Sequence, residues 1–115
     1  MSDDAIVIVS AKRTPMGGFQ GDFANTTASE LGAAAIKAAL EQTSLKPENI
    51  DSVIMGCVLP AGQGQAPARQ ASLGAGLLQS TGATTVNKMC GSGMKALMIA
   101  HDEIKAGSHN IMIAG

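Results

Sequence analysis

A cysteine followed by glycine, serine and glycine is the part of this 115-residue sequence best suited to chemistry. The segment VNKMCGSGMKALMIAHDEIKAG, residues 86–107, has the pattern of a strand end, then Cys90, then an apolar helix. The first four N–H groups of a helix lack helical partners, and the macrodipole adds about half a positive charge there, so a thiolate is favoured over a thiol. A thiolate is a nucleophile, and the same N–H groups can bind the oxyanion that forms when it attacks a carbonyl. Cys90 is therefore a candidate nucleophile for acyl transfer.

Gly91, Ser92 and Gly93 follow this cysteine directly. A glycine in a helix costs about 1 kcal/mol relative to alanine, so two of them in a first turn call for a reason. Glycine leaves the sulfur unobstructed and lets a bulky acyl donor approach the backbone. Alternatively, the run is only a turn and Cys90 is a small core residue, because buried free cysteines are common. The spacing alone leaves both interpretations open.

Strands and helices alternate along the chain, which predicts an α/β fold with a mostly parallel sheet and helices on both faces. Thr27 and Glu30 have the spacing of a capping box at a helix start, and Gly107 has the position of a C′ residue after the last helix. The predicted strands cover residues 5–9, 50–59, 82–86 and 111–114, and the predicted helices cover residues 27–43, 68–78 and 91–106.

The helix after Cys90 is apolar on nearly every side, which is typical of a helix buried on all sides. A chain of this size can hardly surround such a helix, so we expect a further layer from outside these residues. The chain also stops on a buried strand pattern, residues 111–114. Residues 1–115 are therefore expected to be a fragment of a larger protein.

Composition and charge argue against several classes of protein. The net charge is −1 without a Lys/Arg run, so no nucleic-acid partner is expected, and no apolar run is long enough for a membrane span. The four ligand-type residues Cys57, Cys90, His101 and His109 lack metal-ligand spacing, so no metal is expected. An acidic N-terminus and two distant cysteines predict a cytoplasmic protein.

The same glycines permit a rival interpretation. Gly91, Gly93 and Ala96 fit G-x-G-x-x-A between a strand and a helix, the dinucleotide-binding pattern. That pattern requires an acidic residue about twenty positions further on, and the next strand, IMIAG, has none. A nicotinamide-binding domain is accordingly the weaker alternative.

The sequence closely resembles the thiolase family, in its acetyl-CoA acetyltransferase branch. The resemblance covers the whole length and is carried by VSAKRTPMGGFQGDF, VIMGCVLPAGQGQAPARQA, TTVNKMCGSGMKA and IMIAG. The cysteine segment is the most specific of these. Lys88-Met89 before the cysteine resembles the acetoacetyl-CoA-forming type more than the fatty-acid-degrading thiolases, and ketoacyl synthases have different flanking residues.

The resemblance implies a reversible condensation of two acetyl-CoA molecules to acetoacetyl-CoA and CoA through an acetyl-cysteine on Cys90. CoA thioesters would be substrates, and no resident cofactor is implied. A 3-ketoacyl-CoA thiolase of broader chain length and an inert, truncated subunit are the alternatives. The family's activating histidine and second cysteine belong to a C-terminal half, and no segment here matches their motifs. The 115 residues alone are therefore expected to be inactive.

The histidines and the other cysteine match no catalytic motif of the family, and their positions in the predicted helix, turn and strand suggest structural roles. His101 is expected to be structural or at an interface, His109 a solvated turn residue and Cys57 a core residue. The family's layered fold places the cysteine-bearing helix between two sheets. It further implies a homodimer or homotetramer joined through the strand that leads into the cysteine, here Thr84, Thr85, Val86 and Asn87.

Overall fold

Three parallel strands form one sheet in a computed structural model that describes residues 3–115. The strands are β1 (Ser52–Gly56), β2 (Gly82–Val86) and β3 (Met112–Ala114). Their order is β2-β1-β3, with β1 in the centre. Ser52 lies opposite Gly82 on one side and Met112 on the other, so the carboxyl ends of the strands meet at one edge of the sheet.

Three α-helices connect and cover these strands. They are α1 (Ala28–Glu41), α2 (Pro67–Gly74) and α3 (Ser92–Lys105), and a short 3₁₀ helix, Pro47–Asn49, precedes β1. The predicted capping box at α1 is confirmed, because the Glu30 N–H donates to the Thr27 hydroxyl and the Thr27 N–H donates to the Glu30 carboxylate. Gly107 follows α3 with φ +86°, the left-handed conformation that ends many helices on glycine.

The sheet is covered on both faces, as the alternation of its central strand requires. Val53 and Met55 face α1 and α2, where they pack with a cluster that includes Ile36, Ala71 and Leu77. Ile54 points to the opposite face, and Ala96 and Ala100 of α3 are buried there. The α/β prediction, with a parallel sheet between helices, is confirmed.

The first predicted strand, residues 5–9, is wrong. The segment has no regular secondary structure and pairs with no strand in the described part of the chain, and Val7, Ile8 and Val9 are 67–72% exposed. A β-branched run supplies only a preference for extended backbone, and a strand also needs an edge to bond. The helix predicted for residues 68–78 ends at Gly74, and the strand predicted for residues 50–59 is limited to Ser52–Gly56.

Helix α3 is covered on one side only. Ala96 and Ala100 pack against the sheet, whereas Met94, Leu97 and Met98 are 68%, 46% and 53% exposed. Within residues 3–115 the helix is therefore not buried on all sides, and the second layer stays a prediction.

None of the helices formed by residues 3–115 has the length and apolar character needed to cross a bilayer.

Candidate nucleophile site at the strand–helix junction

Cys90 lies on a tight turn between β2 and α3, at the carboxyl edge of the sheet. It is exposed and precedes Gly91, the N-cap of α3. The turn is closed by two backbone hydrogen bonds, from the Gly91 N–H to the Lys88 carbonyl at 3.0 Å and from the Ser92 N–H to the Met89 carbonyl at 3.1 Å. The predicted position of the cysteine beside the helix start is therefore correct to within two residues.

Met89 adopts a left-handed backbone with φ +50°, which residues with a Cβ rarely adopt. Such a conformation costs about 1–3 kcal/mol and persists only where the surrounding structure holds it. The Asn87 side chain contributes, because the Met89 N–H donates to its Oδ1 at 3.0 Å. The strained residue lies inside the turn and directly precedes the exposed Cys90.

The N–H groups near Cys90 are only partly free. Those of Gly91 and Ser92 donate within the turn, and the Lys95 N–H donates to the Gly91 carbonyl at 2.9 Å. The N–H groups of Gly93 and Met94 make no such turn bond, so they are the donors that α3 offers to an anion within residues 3–115. The sequence argument counted all of the first four N–H groups as available, and it therefore overestimated the number of free donors.

The fold itself does not demand glycine on either side of Ser92. A Cβ at Gly91 would lie 3.4 Å from the Lys88 carbonyl oxygen, and one at Gly93 would lie 3.6 Å from the carbonyl carbon of Gly115. Neither glycine has a positive φ. Both distances leave room for a methyl group, so a ligand that approaches the backbone remains the predicted reason for these glycines.

Neither histidine lies near Cys90. His101 is exposed on α3 and contacts Asp102 at 3.0 Å, about 15 Å along the helix axis from Gly91 at 1.5 Å per residue. His109 follows the helix and is 3.6 Å from Glu103. Cys57, directly after β1, is half-buried, and its N–H donates to the Val86 carbonyl at 2.9 Å. The chain therefore brings no histidine to its candidate nucleophile.

Strand β2 lies at an edge of the sheet, with β1 on one side and no strand of residues 3–115 on the other. Thr84 and Asn87 are exposed, whereas Thr85 and Val86 are half-buried. The Thr85 hydroxyl is occupied within the chain, because it accepts the Ala68 N–H at 3.0 Å. The four residues predicted for a dimer interface thus comprise two exposed and two half-buried positions.

Cys90 lies outside the two clefts found along α1. One of these shallow clefts is lined by Pro15, Phe23 and Leu31. Among residues 3–115, no three side chains of the His, Cys, Asp or Glu type come together as a metal site would require.

Gly56 is a site residue that the sequence argument missed. It ends β1 beneath the first turn of α3, where a Cβ would lie 2.6 Å from the Ser92 carbonyl carbon and 2.7 Å from the Gly93 nitrogen. A glycine inside a strand pattern often marks a close approach of another backbone, so MGCV did carry a signal.

The parallel sheet, with helices on both its faces and an exposed cysteine on a strand–helix turn, defines an α/β domain. Residues 6–115 match the family model described as "Thiolase, N-terminal domain". The chain belongs to the thiolase family, as its sequence resemblance predicted.

Several curated relatives are named acetyl-CoA acetyltransferase. The protein of Cupriavidus necator is 56% identical over 110 residues, which are 96% of this chain and 28% of the relative. The protein of Rhizobium meliloti is 50% identical over 115 residues, 100% of this chain and 29% of the relative. The mitochondrial protein of Xenopus tropicalis is 52% identical over 110 residues, 96% of this chain and 26% of the relative. The chain thus spans between a quarter and a third of the length of these relatives.

The prediction of a cytoplasmic location is wrong as an inference from this sequence. Relatives from Xenopus tropicalis, Danio rerio and Mus musculus, at 51–52% identity, are named mitochondrial enzymes. Targeting signals are removable segments that are independent of the folded domain, so the composition of the domain does not identify the compartment.

Proposed function

We propose that residues 1–115 are the nucleophile-bearing N-terminal part of an acetyl-CoA acetyltransferase subunit. The observation that carries the proposal is the exposed Cys90 on a strained turn at the start of α3, in a chain of the thiolase family. The names of the relatives at 50–56% identity support acetyl-CoA as the substrate. Because the matched region covers 26–29% of those relatives, the complete subunit extends well beyond this chain in the proposal.

In the first half-reaction the Cys90 thiolate attacks the carbonyl carbon of acetyl-CoA, a C–S bond to Cys90 forms, and the CoA thiolate leaves. The N–H groups of Gly93 and Met94 belong to the positive end of α3, which favours negative charge near the helix start. Gly91 and Gly93 leave the approach to the backbone open. No metal or resident cofactor has a role in this scheme.

In the second half-reaction a second acetyl-CoA loses an α-proton to a base, and its carbanion attacks the acetyl carbon on Cys90. The C–S bond breaks, the Cys90 thiolate is restored, and acetoacetyl-CoA forms. Thiolysis is the reverse sequence. His101 and His109 are remote from Cys90, so the bases that activate the thiol and accept the α-proton come from the rest of the subunit. The 115 residues alone are accordingly inactive in the proposal.

The complete subunit, incubated with acetyl-CoA alone, quenched in acid and digested, tests the proposal by peptide mass. We expect an acetyl group on the peptide that contains Cys90, and free CoA should remove it. A Cys57→Ala variant is the matched control and should keep the modification, whereas Cys90→Ala should lose it. A folded subunit without acetyl on Cys90 would contradict the proposal.

Acetylation of Cys90 by acetyl-CoA distinguishes an acetyltransferase from an inert subunit better than alkylation of the Cys90 thiol does. Cys90 is exposed and Cys57 is half-buried, so alkylation at Cys90 is expected to be faster even in an inert subunit. Comparing acetyl-CoA with longer acyl-CoA thioesters distinguishes the acetyl-specific enzyme from a 3-ketoacyl-CoA thiolase of broader chain length.

Assembly forms a further part of the proposal. The edge position of β2 and the exposure of Thr84 and Asn87 support a homodimer, and the resemblance implies that such dimers pair into a homotetramer. A lysine on an edge strand opposes strand pairing by charge and solvation. We therefore expect Thr84→Lys to lower the molar mass of the complete subunit in sedimentation. An unchanged mass would count against this interface.

A further inference from the structure

We infer that the side-chain hydroxyl of Ser92 is a positioning element for Cys90, and this inference rests on the proposed function of Cys90. Ser92 is the first residue of α3 and is only 5% exposed, although it is two positions from an exposed cysteine. The sequence argument considered only its backbone. The structure gives its side chain two hydrogen bonds that span the turn.

The hydroxyl connects the two residues that precede Cys90. It accepts the Lys88 N–H at 2.8 Å and donates its own proton to the Met89 carbonyl at 2.6 Å. The Met89 carbonyl also accepts the Ser92 N–H at 3.1 Å, so one residue holds it twice. Serine is one of the few side chains that can accept and donate at this short reach.

These bonds hold the backbone on both sides of a strained position. The φ torsion of Met89, +50°, lies between two groups that the Ser92 hydroxyl binds. These are the Lys88 N–H, which donates to the hydroxyl, and the Met89 carbonyl, which accepts from it. Without the hydroxyl, Met89 loses a restraint on its left-handed conformation, and the turn can adopt other backbone conformations. Cys90 would then remain exposed but would no longer be presented in one orientation.

Ser92 is itself fixed from below. Its carbonyl carbon and Cβ lie against Gly56 of β1, so closely that a Cβ on Gly56 would be 2.6–2.7 Å from them. Strand β1 thus restrains Ser92, and Ser92 restrains the backbone of Lys88 and Met89. That backbone in turn orients Cys90. An acyl transfer reaction is sensitive to such alignment, because attack needs the sulfur at a defined distance and angle from the carbonyl carbon.

The test compares Ser92→Ala with the wild-type complete subunit in the rate of Cys90 acetylation by acetyl-CoA. Loss of the two bonds should lower the maximal acetylation rate constant about tenfold and leave the half-saturating acetyl-CoA concentration unchanged. A residue that only stabilised the fold would not produce this split on folded protein. Ser72→Ala is the matched control, because Ser72 is also buried in a helix but its hydroxyl has no hydrogen-bond partner within residues 3–115. An unchanged acetylation rate in Ser92→Ala would overturn the inference.

Amide hydrogen exchange tests the bridge independently of activity. The Lys88 amide should be protected in the wild type and should exchange about tenfold faster in Ser92→Ala. An unprotected Lys88 amide in the wild type would overturn the inference, even if the variant does not fold. If wild-type Cys90 is not acetylated at all, the proposed function fails, and the exchange rate of Lys88 alone decides whether Ser92 holds the turn.

Discussion

Gly56 and Ser92 approach so closely that a Cβ on Gly56 would lie 2.6 Å from the carbonyl carbon of Ser92. The central strand β1 therefore passes directly beneath the first turn of α3. The start of α3, and with it the turn that bears Cys90, can lie this close because Gly56 has no side chain. A backbone carbonyl group at the start of a helix cannot swing aside as a flexible side chain could.

Gly56→Ala should consequently lower the free energy of unfolding by about 1–3 kcal/mol, the usual cost of overpacking. It should also slow acetylation of Cys90, because α3 must shift to admit the methyl group. Urea unfolding and the acetylation rate check the two effects. Gly18→Ala is the matched control, since nothing lies within 4 Å of a Cβ there. Equal stability of the two variants would contradict the close contact.

Gly93→Ala should separate stability from activity. The position is in the first turn of α3, has ordinary φ, and leaves 3.6 Å to the nearest atom, so alanine should be tolerated or stabilising by up to about 1 kcal/mol. If the glycine serves ligand approach, acetylation of Cys90 should nevertheless fall. Thermal unfolding and acetylation, measured on the same preparation, check this. A variant that is more stable and acetylated at the wild-type rate would refute the access role.

Thr85 acts as a cap for α2 from the neighbouring strand. The N-cap residue of that helix, Ala66, has no side-chain acceptor, and the Ala68 N–H donates instead to the Thr85 hydroxyl at 3.0 Å. Thr85→Val, which keeps the shape but removes the acceptor, should destabilise by about 1–2 kcal/mol. Hydrogen exchange at Ala68 and chemical unfolding measure the effect. Thr85→Ser retains the hydroxyl and should largely preserve the protection of Ala68.

Asp51 should make the stability of the sheet depend on acid pH. Its carboxylate accepts the N–H groups of Asn110 at 2.7 Å and Ile111 at 3.0 Å, and these bonds, aided by His109, hold its pKa below the usual value. A carboxyl with a lowered folded-state pKa contributes fully above its unfolded value of about 3.9, and the contribution is lost as pH falls through the folded-state value.

We therefore expect Asp51→Asn to lower the melting temperature near neutral pH, where the wild-type carboxylate is charged. The difference between wild type and variant should shrink as pH falls below about 4. Asp22→Asn removes a charge from an exposed loop and serves as the matched control. A difference that stays constant down to the lowest pH would show that the Asp51 carboxylate does not hold the start of β3.

Local signals in the sequence were sufficient for much of the fold. Thr27 and Glu30 marked the start of α1, Gly107 marked the end of α3, and β2 was predicted with its observed bounds, because caps and turns depend on neighbours along the chain. The failed strand at residues 5–9 is the counterexample. Its composition favours extended backbone, but a strand also needs hydrogen bonds from an edge that the sequence pattern does not supply.

For the site, the sequence by itself determined the candidate nucleophile, its glycine neighbours and the family. These features lie in continuous segments such as VNKMCGSG, so they can be recognised from the order of residues without knowledge of the fold. Only the tertiary structure decided that Met89 is strained, that Gly56 lies under Ser92 and that Thr85 caps α2. Those relationships join positions through the packing of separate elements, and the distances between them exist only after the chain has folded.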